Sequence, residues 1–66
     1  MMRIRELREG AGMTQNGLAV EMGVNQNTVS CWETEVSLPK ARELPRLAKV
    51  LGCTISELYV TDEDSA

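Results

Sequence analysis

Residues 14–33, TQNGLAVEMGVNQNTVSCWE, contain two short segments in which apolar residues recur at helical spacing. These residues are Leu18, Ala19 and Met22 in the first segment and Val29 and Trp32 in the second. Gly23 lies between the segments, where a chain that reverses direction after a helix needs a residue that tolerates a positive φ. Ala19 has a side chain small enough to let two helices cross closely at a steep angle. The stretch therefore predicts two helices joined by a tight turn, the helix-turn-helix arrangement.

Helical patterns also flank this stretch. Apolar spacing predicts a first helix over residues 3–11 and a fourth over 42–51, with Pro45 tolerable only in the first turn of the fourth. A capping-box pattern from Thr54 to Glu57 predicts a short fifth helix that ends near residue 59. The expected architecture is an all-α, compact five-helix domain over residues 1–60, with the helix-turn-helix at helices 2 and 3.

Local signals refine these elements. Thr14 and Asn25 have side chains that accept hydrogen bonds from backbone N–H groups, so they are expected to cap helices 2 and 3. Several apolar residues outside the main helical stripes are expected to pack against the core, namely Val24, Val36, Leu38, Ile55 and Leu58.

Chain length and composition exclude several classes of function. Sixty-six residues leave no interior for an enzyme-sized cavity, and the sequence has no histidine, no metal-spaced cysteine cluster and no nucleotide-binding glycine loop. We therefore expect neither an enzyme nor a cofactor or metal. The absence of a membrane-length apolar run and of a signal peptide predicts a cytoplasmic protein. Cys31 and Cys53 could form a disulfide, but a reducing compartment favours free thiols.

The charge distribution matters more than the net charge of −3. Asp62, Glu63 and Asp64 belong to a short acidic tail, residues 61–66, that we expect to be disordered. Without these three, positions 1–60 carry seven acidic and seven basic residues. A neutral domain permits nucleic-acid binding, but it predicts modest affinity and weak electrostatic steering.

The outward face of the predicted third helix carries short polar side chains rather than ion pairs. Asn and Gln amides can pair bidentately with adenine in the major groove, and Gln26 and Asn27 lie at the N-terminal end of the helix, where such a motif touches bases. A merely solvated helix face would have the same composition. Because Gln26 and Asn27 lie at the N-terminal end of the second helix of the motif, they are the principal candidates for base recognition.

The sequence resembles the phage repressor and Cro type of helix-turn-helix regulator, the Xre family, over residues 2–59. The resemblance rests on RIRELR at 3–8, Thr14, Gln15, Leu18, Ala19, Gly23, Val24, Val29, Ser30, Trp32, Glu33, Pro39, Leu44, Leu47, Ala48, Leu51, Gly52, Glu57 and Leu58. It implies a compact five-helix domain that binds double-stranded operator DNA, usually as a homodimer on a near-palindromic site. No small-molecule effector is evident.

The resemblance also implies roles for particular residues. Base-reading positions fall on Gln26, Asn27 and Cys31, with Asn25 and Ser30 close enough to help. Contacts with the DNA backbone are expected from Gln15, Thr14, Thr34, Lys40 and Arg42, and the glutamine position also braces a recognition side chain. Arg8 and Glu33 match a scaffold ion pair. A cysteine at position 31 would make either an apolar contact, for instance with a thymine methyl group, or no base contact.

Some alternatives stay open at the level of sequence. Lys40 and Arg42 could be solvated loop charges. Tyr59 and Val60 could close an edge of the core or form a dimer contact. The expected function is sequence-specific DNA binding by a transcriptional regulator, most simply a repressor. The main alternative is a protein-interaction module on the same fold, such as an anti-repressor or an antitoxin component.

Overall fold

The computed structural model describes residues 2–59, so Val60 and the predicted acidic tail at 61–66 lie outside the described residues. The described part contains four α-helices and two single-turn 3-10 helices. The α-helices are α1 (Ile4–Gly10), α2 (Gln15–Met22), α3 (Gln26–Thr34) and α4 (Leu44–Leu51), and the 3-10 turns are Ala41–Glu43 and Ser56–Leu58. Within this part, no helix is long and apolar enough to cross a membrane.

The all-α class is confirmed, but the prediction of five helices is wrong, because the fifth is only the 3-10 turn Ser56–Leu58. The predicted capping box does form: the Thr54 N–H donates to Glu57 Oε1 at 2.9 Å, and the Glu57 N–H donates to Thr54 Oγ1 at 3.1 Å. The chain then becomes extended at Tyr59, which forms an antiparallel bridge with Met2. This pairing with the N-terminal segment ends the helical turn.

Ten buried apolar residues form the core, and all four α-helices contribute to it. They are Ile4, Leu18, Ala19, Met22, Val29, Trp32, Leu47, Ala48, Leu51 and Leu58. Val24 packs against this cluster, as predicted. Burial of each large aliphatic side chain contributes about 1.5–3 kcal/mol. The core places α2 against both α3 and α4, and α1 against α3.

Three apolar residues that were expected in the core are exposed. Val36 is 78% exposed and Leu38 is 61% exposed, because the loop after α3 is held by backbone hydrogen bonds to Cys31 rather than by burial of its side chains. Ile55 is 42% exposed, since the short C-terminal turn directs only Leu58 into the core. These predictions were therefore wrong.

The helix ends of the helix-turn-helix follow the sequence signals. The Gly17 N–H donates to Thr14 Oγ1 at 2.9 Å, and the Thr28 N–H donates to Asn25 Oδ1 at 2.8 Å, so both predicted caps form. Gly23 ends α2 with a φ of 71°, which lets the chain enter α3 after three residues. Pro45 lies in the first turn of α4, where its missing N–H breaks no hydrogen bond.

The left-handed conformation of Gly23 can be tested by a pair of glycine substitutions. Nothing lies within 4 Å of a Cβ added at Gly23, so Gly23→Ala is expected to destabilise the domain through backbone strain alone. The expected loss is about 1 kcal/mol, or a fall of about 4–8 °C in Tm. Gly10 is equally open but has an ordinary φ, so Gly10→Ala should leave Tm unchanged or raise it. Equal shifts in thermal denaturation would contradict this account of the turn.

Candidate nucleic-acid interface

The candidate reading face consists of the polar residues on the outer side of α3. Asn25, Gln26 and Asn27 are exposed at its N-terminal end, and Ser30 and Cys31 are half-buried one turn later. The opposite side of α3 carries Val29 and Trp32, which are buried in the core. The helix is therefore fixed by one face and presents amides and a hydroxyl on the other.

A nearly buried ion pair joins α1 to α3 beneath this face. Arg8 Nε donates to Glu33 Oε2 at 2.6 Å, and Arg8 Nη2 donates to Glu33 Oε1 at 3.3 Å. The side chains are only 10% and 4% exposed, respectively. Arg8 Nη1 also donates to the carbonyl oxygen of Met13 at 2.7 Å, in the segment that leads into α2. One guanidinium group thus connects three parts of the chain.

Both members of this pair are held in their charged forms. The hydrogen bond to Glu33 raises the pKa of Arg8 and outweighs the opposing effect of burial. Burial by itself would raise the pKa of Glu33, but hydrogen bonds from Arg8 and Gln15, together with the positive charge of Arg8, lower it below the ordinary glutamate value. Both charges are largely removed from water, so each one would be costly to bury without the other.

Two glutamines extend this pair to the protein surface. Gln15 Nε2 donates to Glu33 Oε1 at 3.0 Å, and Gln26 Nε2 donates to Gln15 Oε1 at 3.4 Å. The second bond is longer than the usual N–H···O range of about 2.7–3.2 Å, so it is the weakest of the series. A continuous chain of hydrogen bonds therefore runs from Arg8 through Glu33 and Gln15 to Gln26. We call Arg8, Glu33, Gln15 and Gln26 the bracing chain.

Within the bracing chain, Gln26 keeps one amide hydrogen and its amide oxygen available for another hydrogen-bond partner. Its single bond to Gln15 uses one of the two amide hydrogens and does not use the amide oxygen. A bidentate contact with adenine needs one N–H donor and one carbonyl acceptor. Gln26 can therefore be oriented by the protein and still offer a complete pair of groups to a base.

Two of the predicted contact residues act as helix caps. Asn25 Oδ1 accepts from both the N–H and the hydroxyl of Thr28, at 2.8 and 3.0 Å, so this oxygen is committed to the N-terminus of α3. The Thr14 hydroxyl oxygen accepts the Gly17 N–H, which still leaves its proton available to donate. Thr14 thus fits a phosphate contact better than Asn25 fits a base contact.

The remaining predicted backbone contacts lie at or beyond the end of α3. The Thr34 hydroxyl donates to the carbonyl oxygen of Ser30 at 3.0 Å, so it would have to release that bond to donate to a phosphate. Lys40 and Arg42 are both exposed. The Lys40 N–H donates to Glu43 Oε1 at 2.9 Å, which fixes the backbone at Lys40.

Sequence reasoning assigned no role to Arg46 or Glu35. Arg46 Nε donates to the carbonyl oxygen of Glu21 at 3.2 Å, near the C-terminus of α2, where a cation is favourable. Glu35 accepts a hydrogen bond from the Met2 N–H at 2.9 Å across 33 residues of sequence. Neither contact has a local signal, because each partner lies on a distant segment.

The fold and this interface define the class of protein: the chain belongs to the helix-turn-helix family, whose family model matches residues 4–58. The resemblance to the phage repressor and Cro type is thereby confirmed.

Several curated regulators are similar to the chain over nearly its whole length. An uncharacterized HTH-type transcriptional regulator of Archaeoglobus fulgidus is 36% identical over 94% of this chain and 89% of its own length. The HTH-type transcriptional regulator DicA of Escherichia coli is 37% identical over 94% of this chain and 46% of its own length. The cryptic phage CTXphi transcriptional repressor RstR of Vibrio cholerae is 35% identical over 92% of this chain and 55% of its own length. The chain thus spans most of the archaeal relative and about half of the other two.

The buried ion pair can be tested by comparing Glu33→Gln with Glu6→Gln. Glu33→Gln leaves Arg8 buried without a counter-charge and should lower the free energy of unfolding by about 3 kcal/mol or more. Glu6 pairs with Arg3 at the surface, with its side chain 68% exposed, so Glu6→Gln should leave Tm nearly unchanged. Thermal denaturation at neutral pH measures both, and similar shifts for the two variants would contradict the assigned role of the pair.

The same pair predicts a pH dependence. Because folding lowers the pKa of Glu33, its charge contributes stability above the unfolded value of about 4.3, and this stability is lost as pH falls through the lower folded pKa. The stability difference between the wild type and Glu33→Gln should therefore shrink as the pH is lowered below about 4. Chemical denaturation across this pH range measures the free energy of unfolding of both proteins. A difference that stays constant with pH would show that the charge of Glu33 is not its cause.

Proposed function

We propose that this protein is a sequence-specific transcriptional regulator that binds double-stranded DNA with α3 in the major groove. The observation that carries the proposal is the bracing chain, which runs from a buried ion pair to an exposed amide at the N-terminal end of α3. In helix-turn-helix proteins this end of the second helix contacts base edges. The names of the similar regulators support the same function.

Base recognition is assigned mainly to Gln26 and Asn27. Each amide offers the donor and acceptor pair that matches adenine in the major groove. Because Gln15 already holds Gln26, less side-chain freedom is lost when Gln26 meets a base, which favours affinity and selectivity together. Ser30 and Cys31 lie one turn further along α3, where Cys31 provides an apolar contact for a thymine methyl group.

Backbone contacts are assigned to the N-terminus of α2 and to the segment after α3. Thr14 and Gln15 lie at the start of α2, while Lys40 and Arg42 supply cations beyond α3. Each phosphate neutralised by a cation contributes about −0.9 to the slope of log K against log salt concentration. With only two cations assigned, we expect a shallow slope and modest affinity for each domain.

The protein acts as a homodimer on a near-palindromic operator in this proposal. One domain of this size contacts few base pairs, and pairing two domains on half-sites about one turn of DNA apart supplies the missing affinity. Tyr59, which is 38% exposed and paired with Met2, is the described residue assigned to the dimer contact. Repression is the proposed direction of regulation, and an operator on the chromosome or on a phage genome would place the protein in the cytoplasm.

The central test is selection of bound duplexes from a random pool, followed by binding measurements with variants. The selected site should be a near-palindrome with half-sites about 10 base pairs apart. Gln26→Ala with Asn27→Ala should weaken binding to this site at least 10-fold, and it should relax the preference at adenine positions, because each good bidentate contact contributes about 1–3 kcal/mol of discrimination.

A charge-neutral control is available on α1. Arg5→Ala with Glu9→Ala removes an exposed ion pair with an N–O distance of 3.6 Å and should leave both affinity and preference unchanged. Unchanged binding by the folded Gln26 and Asn27 double variant would contradict the assignment of α3. If the wild type at micromolar concentration shifts the electrophoretic mobility of no duplex, this result would favour the protein-interaction alternative.

The two cysteines provide a chemical test of the same surface. Both are free and half-buried, but only Cys31 lies on α3. In the Cys53→Ser protein, the selected duplex should slow alkylation of Cys31 by N-ethylmaleimide, and prior alkylation should block binding. In the Cys31→Ser protein, the duplex should have no effect on Cys53, whose pKa is raised by burial. Mass spectrometry measures the rate of alkylation at each thiol. Equal protection of Cys31 and Cys53 by the duplex would contradict the proposed orientation of α3.

A further inference from the structure

Glu35 ends α3 in a conformation that local rules disfavour. Its φ of 61° is the only positive value at a non-glycine residue among positions 2–59, where the other positive values belong to Gly12, Gly23 and Gly52. An L-residue with a side chain rarely adopts this left-handed conformation. A carboxylate is also unfavourable at the negative end of a helix dipole. Backbone bonds hold this cap: the Glu35 N–H donates to the carbonyl oxygen of Trp32 at 3.3 Å, and the Val36 N–H donates to that of Cys31 at 3.0 Å.

The side chain of Glu35 adds a contact with the N-terminal segment. Glu35 Oε1 accepts the Met2 N–H at 2.9 Å. Met2 forms the antiparallel bridge with Tyr59, and the neighbouring Arg3 N–H donates to the carbonyl oxygen of Leu58 at 2.7 Å. The Glu35 side chain thus ties the end of α3 to a point where the two ends of the described chain already meet.

This tie lies at the start of a loop that has few other constraints. Val36 and Leu38 are exposed, so neither anchors the loop in the core. The loop is held at its beginning by the N–H groups of Val36 and Ser37, which donate to the carbonyl oxygen of Cys31 at 3.0 and 3.3 Å. It is held at its end by the Lys40 N–H bond to Glu43. The Glu35 side chain adds a separate tie, to the N-terminal segment, at the point where the loop leaves α3.

We propose that Glu35 is a positioning residue for DNA binding. Its bond to Met2 fixes the left-handed turn that ends α3, and the turn directs loop 36–40 so that Lys40 reaches the DNA backbone. This inference rests on the proposed function and deepens it, because it assigns the delivery of a phosphate contact to a residue that touches no DNA.

The comparison must separate the tie from the charge of Glu35, since a carboxylate near DNA repels phosphates. Glu35→Gln removes the charge but keeps an amide oxygen that can accept the Met2 N–H. Glu35→Ala and Glu35→Gly remove both the charge and the acceptor. Alanine keeps the strained φ, whereas glycine relieves it. Glu35→Gln is therefore the matched reference for the other two variants.

The experiment combines DNA titrations with backbone dynamics of the free protein. The probes are the selected duplex and a 30-base-pair mixed-sequence duplex, titrated at several salt concentrations. Relative to Glu35→Gln, both Glu35→Ala and Glu35→Gly should bind each duplex about 3- to 10-fold more weakly, with a salt slope reduced by about one phosphate contact for each bound domain. Nitrogen-15 relaxation should show greater motion at residues 36–38 and 40 in both. Glu35→Gly should keep a Tm close to that of the wild type, which separates positioning from loss of fold.

The outcomes distinguish this inference from the function on which it rests. If the three variants bind DNA with equal affinity and equal salt slope, Glu35 does not position a phosphate contact, and the inference is wrong while the proposed function stands. Weaker binding without added motion in loop 36–40 would also overturn it, because the tie would not act through the loop. If the wild type binds neither duplex, the proposed function itself fails.

Discussion

The buried ion pair between Arg8 and Glu33 is the interaction on which the rest of the interface depends. Its guanidinium group holds α1, the entry to α2 and the last turn of α3 through three hydrogen bonds. A buried pair gains little net stability over an apolar contact of the same size, but its geometry is strict. Here the strict geometry of the pair helps to position the side chains of two glutamines. Glu33 also accepts a hydrogen bond from Gln15, and Gln15 in turn accepts one from Gln26.

This arrangement suits a domain with little electrostatic attraction for DNA. Seven basic and seven acidic residues in positions 1–60 leave no surplus of positive charge to draw the protein to phosphates. Affinity must then come from well-placed contacts that lose little freedom on binding. Gln26 is bonded to Gln15, Thr14 is fixed as a helix cap, and the backbone N–H of Lys40 is bonded to Glu43. These three residues are thus held by bonds within the protein before DNA arrives.

The sequence predicted the features that depend on neighbouring residues. The caps at Thr14 and Asn25 formed as predicted, as did the left-handed Gly23 and the place of Pro45 in the first turn of α4, because each follows from local backbone chemistry. The resemblance supplied the pairing of Arg8 with Glu33, which no periodicity could have identified across 25 residues.

What the sequence did not predict depends on distant partners. The fifth helix was overestimated because Tyr59 pairs with Met2 instead of continuing the turn. Val36 and Leu38 were assigned to the core from their apolar character, yet backbone bonds to Cys31 hold their loop at the surface. Glu35 gave no signal at all, because the partner of its side chain, the Met2 N–H, lies 33 residues away in the sequence.

The central claim, that α3 is the DNA-contacting surface and is held by the bracing chain, is tested most directly by NMR. Nitrogen-15 spectra of the backbone and side-chain amides would be recorded while the selected duplex is added. The account predicts that the largest shifts occur at Gln15, Gln26 and Asn27, with little change at Arg5 and Glu9 on α1. Shifts concentrated instead around Glu21, Arg46 and Lys49, with the glutamine amides unmoved, would contradict it.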